Sequence, residues 1–210
     1  MKLAQGDPVA AQSVLERVPL DYSSNPFIWI TRFDAALYLR DYDAADRVIA
    51  ATPAKWGDSV LDGQPGESWA DGLIARLRGD KEKALAAFAA RRKKLDATWG
   101  DKPKDEAYFE RAARVDAGLG RKEDAIREAL HAVELMPIAK DISGAVYVIT
   151  LAQVYAWTGE RDRALEQLEI VATIPNGVTY GDLRFNPCWD SLRGDPRFDK
   201  IVAAAKAASR

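Results

Sequence analysis

Apolar residues recur along the chain at helical spacing, and no run of alternating Val, Ile and Thr marks a strand. The 36 alanines point the same way, because alanine has the highest helix propensity. A longer period overlies the helical one. Gly6, Gly79, Gly120 and Gly159 each stand five residues before an alanine: Ala11, Ala84, Ala125 and Ala164. Arg40 bears the same relation to Ala45. The five anchor alanines follow one another after 34, 39, 41 and 39 residues, which is the mark of a repeat architecture.

Each position of the motif has a physical reason. The glycine falls where one helix must end and a second begin within a few residues, a place that favours positive φ. The alanine lies where the second helix crosses the first, and a larger side chain there would push the pair apart. Twelve residues before the anchor a small residue is expected at the same crossing, and Gly72, Ala113 and Ala152 supply it. Phe33 does not, which predicts distortion in the repeat with Arg40. Four residues after the anchor come Leu15, Ile49, Phe88, Ala129 and Leu168, mostly apolar plugs for the next groove. Pro19, Pro53, Pro137 and Pro175 follow the second helices and stop them.

These residues resemble tetratricopeptide repeats. The best matches run from Gly120 to Pro137 and from Gly159 to Glu169, and the resemblance covers roughly Gly6 to Pro175. It implies an all-α, right-handed solenoid of helical hairpins over residues 1–176. A half-repeat occupies about 1–19, and full repeats occupy about 24–55, 65–97, 104–138 and 143–176. Residues 177–210 form a C-terminal cap, whose Trp189 and Phe198 plug the open end ahead of a last amphipathic helix. Three of the four intervals exceed the family's 34 residues. The surplus is assigned to the loops Trp56–Gly66, Ala97–Asp105 and Ile138–Gly144, or to longer first helices. The half-repeat exposes Val9, Leu15 and Val18, which predicts a longer parent array or a homodimer through this helix, with a bare terminal helix as the alternative. The cap resembles the closing element after such arrays in large bacterial signalling proteins.

Composition narrows the function classes. Lys and Arg number 30 against 32 Asp and Glu, which removes the broad basic footprint of a nucleic-acid binder. The opening residues lack a signal-peptide core, and Ala145 to Trp157 is too short to span a bilayer, so no membrane insertion is expected. The compartment expected is the cytoplasm, or the periplasm if a membrane anchor precedes the chain. The single cysteine, Cys188, reads as a small buried side chain. The single histidine, His131, reads as solvated or partly packed mid-helix, with no partners for a metal site. With no phosphate loop and no nucleophilic motif, no catalytic residues, no metal and no cofactor are expected. The runs Arg91–Lys94 and Lys102–Glu106 read as a solvated helix end and a loop.

The expected activity is therefore non-catalytic: a protein-interaction scaffold that holds a partner helix or peptide in the concave groove, as part of a bacterial regulatory protein. A small-molecule sensory domain and a self-association module are the alternatives. The resemblance places the concave positions at Ile30, Asp34, Leu37 and Tyr38, then Trp69, Leu73, Arg76 and Leu77. Next come Glu110, Arg114, Ala117 and Gly118, then Ile149, Gln153, Ala156 and Trp157. Tetratricopeptide domains that clamp a chaperone's terminal carboxylate carry Lys and Asn where this chain has Ile30/Asp34, Trp69/Leu73, Glu110/Arg114 and Ile149/Gln153. That ligand is disfavoured.

Overall fold

The computed structural model describes residues 2–18, 25–100 and 104–208, and among these every regular element is a helix. Four antiparallel pairs make the body. They are α2 (Pro26–Tyr38) with α3 (Tyr42–Ala51), α5 (Trp69–Leu77) with α6 (Lys81–Trp99), α7 (Glu106–Gly118) with α8 (Lys122–Leu135), and α9 (Ala145–Trp157) with α10 (Arg161–Val171). α1 (Pro8–Leu15) packs on α2, and the four-residue α4 (Gly57–Val60) links the first pair to the second and also packs on α2. α11 (Tyr180–Phe185), a 3-10 turn at Pro187–Leu192 and α12 (Pro196–Ala208) close the chain. Each pair packs on the next, so the fold is all-α and compatible with a helical repeat.

The repeated turn is the same in all four pairs. Arg40, Gly79, Gly120 and Gly159 take φ of 60°, 81°, 76° and 86°. In each the following residue's N–H donates to the carbonyl five residues back: Asp41 to Ala36, Asp80 to Ala75, Arg121 to Asp116 and Glu160 to Tyr155, at 2.8–2.9 Å. These bonds satisfy carbonyls that the end of the first helix leaves open. Gly120→Val should cost about 1–2 kcal/mol, since a β-branched residue is strained in left-handed backbone. Urea unfolding should show this, with Gly120→Asn milder; equal stability of Val and Gly would show that the turn relaxes.

The anchors behave as crossings require: Ala11, Ala45, Ala84, Ala125 and Ala164 are all buried. Gly72 and Gly118 have a more specific reason. A Cβ on either would lie 2.4 or 2.6 Å from the ring of Phe88, which is fully buried between α5 and α7. In the C-terminal segment Trp189 and Phe198 are 2% and 1% exposed. α9 is apolar nearly all round because α7, α8, α10 and the 3-10 turn surround it. Among the described residues no helix is long and apolar enough to cross a membrane.

Two expectations need correction. The surplus of the second interval is not a surface loop: α4 sits there, and Leu61 and Asp62 behind it are 1% and 6% exposed. Nor do the first helices carry extra length, since it is the second helix α6 that reaches 19 residues. The run Arg91–Lys94 is only half solvated: Lys93 and Lys94 are exposed, but Arg91 and Arg92 are not. Arg91 is 2% exposed, and the Arg92 side chain is only 18% exposed. Both are drawn inward by carboxylates distant in sequence. Arg91 reaches Asp62 at 2.6 Å, and Arg92 reaches Asp116 at 2.8 Å and Glu128 at 3.0 Å. Burial raises the pKa of Asp116 and of Glu128, with the Arg92 charge pulling the other way. Pro19 and part of the Lys102–Glu106 run lie outside the described residues.

Candidate binding cup on the inner face

Helices α2, α5, α7 and α9 line one side of the molecule, and the middle of that side is filled by its own side chains. Trp69 of α5 stacks on Trp157 of α9, with ring centroids 6.1 Å apart and planes 13° from parallel. The Arg114 guanidinium covers Trp69 at 4.6 Å, and the Arg76 guanidinium covers Trp157 at 4.5 Å. The result is a stack of two aromatic planes between two cations, each contact stabilising by about 0.5–2 kcal/mol. Burial lowers the Arg76 pKa.

The cap then folds back on α2. Tyr38 Oη donates to Asp182 at 2.8 Å, and Arg40 makes a two-pronged pair with Asp190 at 2.7 and 2.8 Å. The Gly181 N–H donates to the Ala4 carbonyl at 3.0 Å. Asp182 is further engaged by Asn186 and by the Trp189 indole, each at 2.8 Å. Cys188 of the cap is buried and lies 3.5 Å from the Gln153 amide. Burial pushes its thiol pKa well up.

What remains open is a cup of about 480 Å³. Ile30 and Asp34 come from α2, Trp69 from α5, Glu110 and Arg114 from α7, and Val146 and Tyr147 from α9. Its base is an ion cluster around Asp62, which holds Arg91 at 2.6 Å, Arg114 at 3.1 Å and Arg111 at 3.5 Å. Glu110 pairs with Arg114 at 2.8 Å and accepts from Thr150 at 3.0 Å. Asp34 differs from its neighbours, having no hydrogen bond or ion pair among the described residues. Burial, reinforced by the Asp182 charge, pushes its pKa up to about 7 from 3.8.

That shift has a sign. A carboxyl whose folded pKa exceeds its unfolded value binds more protons when folded, so it withdraws stability as pH rises through the interval from 3.8 to about 7. Asp34→Asn should therefore be more stable than the parent at pH 8 and no more stable below pH 3.8. Urea titrations at both ends test this, and a variant less stable at pH 8 would contradict it.

The structure gathers part of the expected groove. Ile30, Asp34, Trp69, Glu110 and Arg114 share the cup, while Tyr38 and Ile149 line a second recess that meets it at Asp34. Trp157 and Arg76 lie at the stack. Leu37, Leu73, Gln153, Ala117, Gly118 and Ala156 are buried and present nothing to a partner, and Leu77 is half-buried. Asp62, Arg91 and Arg111 escaped sequence reasoning. The Asp62-Gly63 pair marks a turn in the sequence, yet nothing local shows that this turn enters the interior. On the outer surface, His131 meets the Phe109 ring edge-on at 4.4 Å and Glu134 at 3.2 Å. Among the described residues no group of three or more His, Cys, Asp and Glu could hold a metal ion.

Comparison with family models, curated proteins and solved structures finds no match to this chain. Its own geometry has to carry the functional reading.

Proposed function

We propose that the chain is a non-catalytic binding module of the tetratricopeptide type, docking a segment of a partner polypeptide on its concave face, as part of a larger regulatory protein. The observation that supports this most is the convergence of five groove positions, Ile30, Asp34, Trp69, Glu110 and Arg114, on one open cup. A cup of this size matches ordinary ligand sites of roughly 300–1,000 Å³. The Trp69–Trp157 stack fills the middle of the groove and the cap folds back on α2, so the segment enters as a side chain or a short turn. A whole helix, about 10–12 Å across with its side chains, would have to displace the stack.

Surface variants test the reading. Ile30→Glu and Val146→Glu alter the cup, whereas Leu85→Glu alters an outer helix at the same 48% exposure as Val146. Partner capture should fall at least tenfold for the first two and stay level for the third. Loss with Leu85→Glu alone would move the binding face to the outer helices. The small-molecule alternative draws on one specific observation, the convergence of charged groups in the cup. Self-association through α1 draws on Val9 and Val14, 63% and 55% exposed, since Leu15 and Val18 are half-buried.

A further inference from the structure

The cup is unbalanced in charge, and the imbalance falls on one residue. Four carboxylates line it, Asp34, Asp58, Asp62 and Glu110, against Arg111 and Arg114 on the wall and Arg91 behind. Asp62 and Glu110 are matched by guanidinium groups within 3.1 Å, and Asp58 lies 3.6 Å from Arg91. Asp182, on the far side of Asp34, spends its oxygens on the Tyr38, Asn186 and Trp189 donors. Asp34 is the carboxylate left over, set where the cup and the recess of Ile149 and Tyr38 join.

The cup thus offers one carboxylate that no donor among the described residues answers. Its occupant must bring a cation, and an acidic segment would meet the unmatched acceptor.

We propose that the cup recognises a basic peptide segment, whose Lys or Arg side chain pairs with Asp34. This rests on the concave-face reading above and adds the chemistry of the partner. Apolar walls at Ile30, Ile149 and Val146 suit the methylene stem of such a side chain. Asp34, raised to about 7 when unpaired, becomes fully charged on meeting the cation.

The test is selection of capped octapeptides from a random displayed library on the full chain, followed by titration of the selected peptides. Selected peptides should share a Lys or Arg, and its replacement by norleucine should weaken binding at least tenfold. Asp34→Asn should cause the same loss while leaving the melting temperature level or higher; Asp34→Glu should recover part of the affinity. Peptides that bind without a basic residue, or equally well to Asp34→Asn, would overturn the inference. If those peptides still need Ile30 and Val146, the concave-face reading survives the loss. Should free L-arginine compete as strongly as the peptides, the site belongs to a small cation and the polypeptide occupant is wrong. Failure to select any Asp34-dependent peptide also overturns it.

Discussion

Replacing Asp62 by alanine should be among the most damaging single changes in the protein, at about 3–5 kcal/mol. Asp62 is 6% exposed and answers Arg91, itself 2% exposed, while also meeting Arg114 and Arg111. Without the carboxylate, Arg91 keeps only Asp58 at 3.6 Å, and a buried guanidinium is left largely uncompensated. The cost reports this stranded charge more than the worth of the pair. Adding Arg91→Met should therefore recover much of the loss, and the coupling of the two changes is read from urea midpoints of the four proteins in the cycle. Additive losses would show that Asp62 acts through its backbone position, where φ is 52°, and not through Arg91.

Phe88→Ala should cost a similar amount, about 3–5 kcal/mol, for a different reason. The ring is fully buried, and the Gly72 and Gly118 backbones approach it where any Cβ would collide. Both neighbours lie on helices, so the walls collapse little when the ring is removed and a cavity remains. Gly118→Val tests the same joint from the other side and should also destabilise, because its new side chain meets a ring that is packed on every side. A shift of the urea midpoint with unchanged slope would identify lost stability of the folded state. Phe88→Leu should fall between parent and alanine. Equal stability of Phe88→Ala and the parent would mean that α5 and α7 close over the gap.

The repeat was legible because its rules are local. A turn between two helices needs positive φ at one position, and the glycines mark it. Arg40 shows that the backbone demand persists without glycine, since it takes φ of 60° and uses its side chain to hold Asp190. The small anchors and the plugs Phe88 and Leu168 followed from the same crossing geometry. The interior charges were not legible. Arg91 looks like part of a basic helix face until Asp62, 29 residues earlier, is folded beneath it. The groove was half legible. The resemblance named Ile30, Asp34, Trp69, Glu110 and Arg114, which line one cup, but it says nothing of what else enters the groove. The Tyr38–Asp182 and Arg40–Asp190 bonds join residues 144 and 150 positions apart, and no periodic signal records such contacts. For the same reason the partnerless state of Asp34 emerges only when the donors around it can be counted.

The proposed binding resides in the cup on the inner face, beside the recess of Tyr38 and Ile149. Photo-crosslinking tests it most directly, with a benzophenone amino acid placed at Val146 on the cup wall or at Leu85 on an outer helix, two positions of equal 48% exposure. The account predicts a crosslinked partner segment from position 146, lost when Asp34 is changed to Asn, and none from position 85. A partner captured from position 85 and not from position 146 would contradict it.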